Sequence, residues 1–177
     1  MSIRDAQVED CDQMGLITVS ASHSAFIGSI PEESLDFSWT PETSAKRWRE
    51  SFAENTNRGQ AFRVLESHGR VIGFAWSAPW ADTAGYDASI RGLYVLPTCQ
   101  RKGFGRLLLS DAAVVLRRNG ARSAEIGCVK ENPSCDFYLH LGGVQIGHRP
   151  VRVDAFQTKE ILFGWPDISV LIGLGNL

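Results

Sequence analysis

A chain of 177 residues with 44% hydrophobic content is long enough to bury one full core. Its formal net charge of −2 excludes a general polyanion binder, so nucleic acid is not an expected partner. No apolar run reads as a signal peptide or approaches the ~18 residues of a membrane span, and Cys11, Cys99, Cys128 and Cys135 form no CxxC pair; the expectations are a cytoplasmic protein, no membrane partner and no metal.

In chain order, Ile3–Ala6 reads as a short strand. Residues 8–25 have helical spacing, with Met14, Ile17 and Ala21 on one face. Residues 28–42, rich in Ser, Pro and Glu, read as a loop with a turn of helix. Within Ser44–Phe52, Ala45, Trp48 and Phe52 recur at three and four and predict a second helix. Ala61–Ser67 and Val71–Ala78 are predicted strands joined at His68-Gly69 by a tight hairpin, and Asp87–Leu96 is the next strand, stopped by Pro97. A helix then runs to about Asn119, with Phe104, Leu108, Ala112 and Val115 on one stripe and Asn119-Gly120 as its stop. Ser123–Val129 is a strand, Ser134–Leu141 a short helix ended by Gly142-Gly143, and Val144–His148 and Ala155–Gly164 are two last strands. The order β, α, α, β, β, β, α, β, α, β, β implies an α/β fold, a mixed sheet with helices on both faces, in a single domain over residues 1–177.

Gln100-Arg101-Lys102-Gly103-Phe104-Gly105-Arg106 stands between the strand ending near Val95 and the long helix. Glycine in a helix costs roughly 1 kcal/mol relative to alanine, and two glycines fall where this helix is hardest to start. A bare backbone lets N–H groups approach a ligand closely. The partial positive charge of a helix N-terminus, with Arg101, Lys102 and Arg106, suits an anion, most simply a phosphate. The stretch lacks the GKS/GKT ending of a P-loop and the third glycine of a dinucleotide fingerprint. Preceded by Leu93-Tyr94-Val95 and followed by Asn132, Phe137-Tyr138 and Gly142-Gly143, it resembles the GNAT superfamily of N-acetyltransferases. The acetyl-CoA motif of that family is written Q/R-x-x-G-x-G/A, with an N…A…FY…GF run downstream. The resemblance covers about Ile3 to Trp165.

The resemblance implies a GNAT fold and direct transfer of an acetyl group from acetyl-CoA to the amine of a small molecule. Gln100, Arg101, Lys102, Gly103, Phe104, Gly105 and Arg106 would hold the pyrophosphate, largely through backbone N–H groups. The pantetheine arm would pair along Leu93, Tyr94 and Val95, with a backbone N–H at Leu93 or Tyr94 polarising the thioester carbonyl. Asn132 would meet the arm; its alternative is a helix cap or turn residue. Tyr138 is the candidate general acid, since a phenol titrating near ~10 can donate toward a departing thiolate whose thiol titrates near ~8.5. Its alternative is a buried tyrosine satisfied elsewhere. Phe26-x-Gly28, Pro31, Leu35 and Trp48 resemble a pattern in small bacterial members and would build one wall of the acceptor site, or simply pack helices.

The sequence departs from the family at the base. Well-known members often carry a glutamate on the central strand at the position of Ser89. Neutralising a lysine-like amine at pH 7 costs roughly 4.6 kcal/mol and an α-amine about 1.1 kcal/mol, so an acceptor already largely neutral is expected. Asp82, Asp87 and Glu125 are nearby carboxylates that read first as surface groups, and His23, beside the acceptor-side loop, is a further candidate base. With regular alternation Ser89, Arg91 and Leu93 share a face, placing Ser89 and Arg91 at the acceptor; Arg91 would meet a carboxylate or phosphate there, or form a surface salt bridge. Trp76 and Trp80 read as an apolar acceptor wall, with core packing the alternative for Trp76. Three rival readings stand beside acetyl transfer to a small amine, one of them a nucleotide-binding module of another kind. Another is a silent acyl-CoA-binding or sensor domain, favoured by Ser89 and opposed by Tyr138. The third is a protein acetyltransferase acting on N-termini or lysines, which needs an open groove where residues 23–42 look long enough to cover the site. The apolar tail Val170–Leu174 reads as a homodimer surface or as a cap on the chain's own core.

Overall fold

The computed structural model describes residues 1–34, 39–54 and 59–176; Leu35, assigned above to the acceptor wall, lies outside them. The elements are β1 (Ser2–Asp5), α1 (Cys11–Phe26), α2 (Pro41–Glu54), β2 (Ala61–Ser67), β3 (Arg70–Ala78), β4 (Ala88–Val95), α3 (Phe104–Arg118), β5 (Ala124–Val129), α4 (Ser134–His140), β6 (Val144–Val153), β7 (Phe156–Trp165) and α5 (Ser169–Ile172). The expected order is present, with α5 added. Among the described residues, seven strands form one sheet in the order β1-β2-β3-β4-β5-β7-β6. Among these strands only β4 and β5, joined across α3, run parallel, so the sheet is mixed.

Local chemistry explains most boundaries. His68 and Gly69 both adopt positive φ (51° and 75°), the backbone a two-residue hairpin requires. The stop of α3 is a Schellman arrangement: Gly120 takes φ 91°, its N–H donates to Arg117 O at 3.0 Å, and Ala121 N–H donates to Leu116 O at 3.1 Å. The buried face of α3 differs from the expected stripe. Leu108, Leu109, Ala112, Ala113 and Leu116 are buried, whereas Val115 is half-buried, because the helix packs across both β3 and β4 and uses a broader face. β6 continues past the predicted His148 through Arg149-Pro150 to Val153. Proline is tolerated there because β6 is an edge strand whose outer side needs no donor.

Helices α1 and α2 cover one face through Met14, Ile17, Trp48 and Phe74, and α3 and α4 cover the other through Leu109, Ile126, Tyr138 and Phe163. The apolar tail caps the chain's own core: Ile168 and Leu171 are fully buried in the α3 cluster, and Ser110 Oγ donates to Ile172 O at 2.9 Å.

Two features place the site. The register between β3 and β4 shifts where Trp76 and Ser77 oppose Gly92 and Ile90, leaving Arg91 as a bulge. Alternation therefore breaks. Ile90 packs toward α3 before the bulge and Leu93 and Val95 after it, so the expected shared face of Ser89, Arg91 and Leu93 does not exist. Beyond the bulge β4 also parts from β5. The two pair only through Ala88–Ile90 and Ala124–Ile126, and the later halves of both strands diverge.

The corner between β1 and α1 rests on one ion pair. Arg4 donates to both Asp10 oxygens at 2.7 and 3.0 Å, and Gln7 N–H adds a third bond at 2.8 Å. Arg4, and secondarily Gln7, hold the Asp10 carboxyl below its ordinary range against the opposing effect of burial. A lowered folded pKa contributes stability above the unfolded value near ~3.9, which is lost as pH falls through the folded value. Asp10→Asn is expected to lose about 1–3 kcal/mol at pH 7. In urea denaturation the gap from the wild type should shrink toward pH 3.

Candidate active site

Where β4 and β5 part, a cavity of about 410 Å³ opens. It brings together Arg91, Leu93, Tyr94, Val95, Gln100, Asn132 and Tyr138, residues spread over more than forty positions of the sequence. Ser89 does not line it. That side chain is buried on the sheet beside Glu125, its register partner on β5. The side of β4 facing away from β3 has no strand against it from Arg91 onward, so its backbone groups border the opening.

Each predicted residue has a definite environment. Gln100 Nε2 donates to Val95 O at 3.0 Å and closes the end of β4. The chain then turns through Arg101 (φ 62°) and Gly103 (φ 84°), both left-handed, into α3. Leu107 N–H to Gly103 O at 3.1 Å opens the helical ladder, so the amides of Phe104, Gly105 and Arg106 precede it and are the free donors of the first turn. Arg106 Nε is buried there without a partner among the described residues. Lys102 Nζ donates to Thr98 O at 3.0 Å. An added Cβ on Gly105 would make only ordinary contact with the Phe137 ring at 3.4 Å, so packing against α4 does not require this glycine. Unpaired amides, an unpaired buried guanidinium nitrogen and a left-handed glycine fit a bound anion.

Tyr138 is buried on α4 against Phe137, Phe163 and Trp165, and its phenol faces the cavity. Burial above all, then the negative charges its neighbours carry when ionised, raises its pKa well above the ordinary phenol value. The group therefore stays protonated and able to donate across the neutral range. Tyr94 stacks on Phe74 with ring centres 4.9 Å apart, and burial raises its phenol too. Asn132 takes the turn role expected as its alternative and also lines the cavity: its Oδ1 accepts from Ser134 N–H at 2.8 Å, starting α4.

The acceptor side is roofed. His23 and Phe26 of α1, Trp39, and residues 151–154 of the β6–β7 hairpin line it, and Ala155 N–H at the hairpin tip donates to Ser34 O at 3.1 Å. Trp48 is buried among Phe62, Phe74, Trp76 and Tyr94, and Trp76 donates to Gln60 Oε1, so both work mainly as core residues. Arg91 forms the salt bridge given above as its alternative, with Asp82 at 2.9 Å, and also borders the cavity, 5.7 Å from the Trp80 ring.

The carboxylates singled out from sequence are committed elsewhere. Glu125 is buried, not a surface group. It accepts from Asp82 N–H at 3.0 Å and from the Thr83 hydroxyl, fastening the loop between β3 and β4. Asp87 accepts from the Arg122 and Ser123 amides, and Asp82 bridges Arg91 and Arg149. Two carboxylates line the cavity among the described residues, Asp154 in the roof and Glu160 on β7 beside the parted strands, and sequence reasoning missed Glu160. Gly127, a glycine inside a strand, was the available signal. A Cβ there would collide with the Glu160 carboxylate.

Residues 26–142 match the family model described as acetyltransferase (GNAT) family. The chain is 27% identical over 177 residues to YuaI of Bacillus subtilis, an uncharacterised N-acetyltransferase, covering 99% of each. Its fold is similar to PaiA N-acetyltransferase from Thermoplasma acidophilum in complex with coenzyme A (17% identity, 92% and 96% of the two chains covered, TM-score 0.68). It is likewise similar to a phosphinothricin acetyltransferase from Sinorhizobium meliloti in complex with acetyl-CoA (20% identity, 94% and 88% covered, TM-score 0.68).

Glu125→Ala should leave the Asp82 amide without its acceptor and cost about 1–3 kcal/mol. Hydrogen exchange should show that amide losing protection selectively, while amides of β2 and β3 keep theirs.

Proposed function

We propose that this chain, which belongs to the acetyltransferase (GNAT) family, transfers an acetyl group from acetyl-CoA directly to the amine of a small molecule. The observation carrying the reading is one opening between β4 and β5 that joins the free edge of β4 at Leu93–Val95 to Tyr138 and reaches Gln100, from which the chain turns into the anion-fitting start of α3. The bound coenzymes of the Thermoplasma and Sinorhizobium proteins support the choice of donor. The roof formed by α1, Trp39 and the β6–β7 hairpin supports a small acceptor over a protein chain.

In this reading each part has its own task. The amides of Phe104, Gly105 and Arg106, with the Arg106 side chain, hold the pyrophosphate. The free edge of β4 takes an extended arm as an added strand would lie, which orients the thioester and offers a backbone N–H to its carbonyl oxygen. The Tyr138 phenol donates to the sulfur as negative charge develops there. Its raised pKa keeps the proton available until that moment.

A panel comparing small primary amines with peptide N-termini and lysine peptides, followed by release of free thiol, tests the acceptor class. Turnover confined to peptides would replace the small-molecule reading, and acetyl-CoA binding without turnover would favour the silent domain. Gly103→Val forces a β-branched residue into a left-handed backbone at the cradle. Acetyl-CoA affinity measured by calorimetry should fall at least tenfold, about 1.4 kcal/mol, in a variant that remains folded. Tyr138→Phe should lower kcat about 10²-fold with little change in KM for acetyl-CoA, because the lost interaction strengthens only as thiolate charge appears.

A further inference from the structure

We propose that Glu160 is the group that accepts the acceptor's ammonium proton, a catalytic carboxylate supplied from β7. The inference rests on the acetyl-transfer reading above and adds the base that reading lacks.

Register fixes the position. Glu160 pairs with Val129 of β5 and with Arg149 of β6, and its side chain reaches diagonally over Gly127. Gly127 is the first residue after Ile126, the last residue of β5 that pairs with β4. The carboxylate therefore sits where the strands part, the position from which the cavity opens toward both Tyr138 and the acceptor roof. A Cβ at Gly127 would fall on the carboxylate and push it aside, so the glycine leaves the place in which it sits.

The bonding leaves Glu160 available. Arg149 Nε takes Oε2 at 2.5 Å, and among the described residues Oε1 has no hydrogen-bond partner. The side chain is 19% exposed, toward the cavity it lines. Glu125, by contrast, has both oxygens engaged by the loop. Arg149, itself bonded to Asp82, fixes the orientation of Glu160 from β6. Tyr94, Cys128 and Tyr138 feel its charge from β4, β5 and α4. His23, Arg91, Arg152 and Asp154 line the same cavity.

The proton balance closes. Glu160 takes one proton from the ammonium and releases it to water. The neutral nitrogen forms the C–N bond, and the C–S bond breaks with its electron pair going to sulfur. The Tyr138 proton goes to sulfur, and the second proton leaving nitrogen restores the phenol.

The test is kcat against pH for two acceptors the wild type uses, an α-amino amide and an alkylamine about two pKa units apart. With Glu160 as base, both give one shared inflection, below either amine's own titration. In Glu160→Gln the inflection should move to follow each acceptor, and kcat for the alkylamine at pH 7 should fall at least 10²-fold. The acetyl-CoA dissociation constant should stay within twofold, which separates loss of the base from loss of the donor site. Gly127→Ala, which displaces the carboxylate without removing it, should give the same change of profile. Should either variant fail to fold, the other carries the test. A wild-type inflection that follows each acceptor, or an inflection unchanged in Glu160→Gln, overturns the assignment. A wild type that releases no thiol with any amine overturns the acetyl-transfer reading and this inference with it.

Discussion

The site depends on two neighbouring strands that stop pairing. β4 and β5 share three registered pairs and then diverge, leaving one edge of β4 without a partner from the Arg91 bulge onward. Unpaired backbone inside a sheet is costly unless something accepts and donates there. Here the rest of the structure holds the strands apart. β4 remains bound to β3 on its other side, β5 to β7, and helices pack both faces. The opening is thus a rigid consequence of register, and an extended ligand can complete it.

Charges around the opening are organised by the same strands. Arg91, Asp82, Arg149 and Glu160 form a chain of alternating sign that ties β4, the loop after β3, β6 and β7 together. Partly exposed pairs of this kind contribute little stability individually. Their effect is positional: each guanidinium holds a carboxylate in one orientation, and the chain ends at Glu160 on the cavity. Glu125 shows the complementary use of a carboxylate. It is buried and saturated by the loop it anchors, which gives it a structural role only.

The cavity and the turn that follows Gln100 beside it answer different chemical needs. Just past Gln100, at the start of α3, the donors are backbone amides and Arg106, set by a left-handed turn and suited to permanent negative charge. In the cavity Tyr138 and Glu160 offer a retained proton and an open carboxylate oxygen. A transferase that must deliver a proton to sulfur and remove one from nitrogen needs that pairing of opposite functions.

Much of this was legible in the chain because it is local. The helices, the hairpin at His68-Gly69, the α3 stop, the glycine turn and Tyr138 on its short helix each depend on residues a few positions apart, and periodicity or turn chemistry reveals them. The tertiary structure decided what depends on register between distant strands. Whether Arg91 is a bulge, which of Glu125 and Glu160 is consumed, whether Pro150 ends a strand or rides an edge, and whether the tail caps the core all follow from pairings across tens of residues. A one-residue shift in such a pairing exchanges the faces of a strand. Ser89 and Glu160 therefore could not be ranked by spacing within their own strands, because the open carboxylate at the site was decided by β7 lying against Gly127.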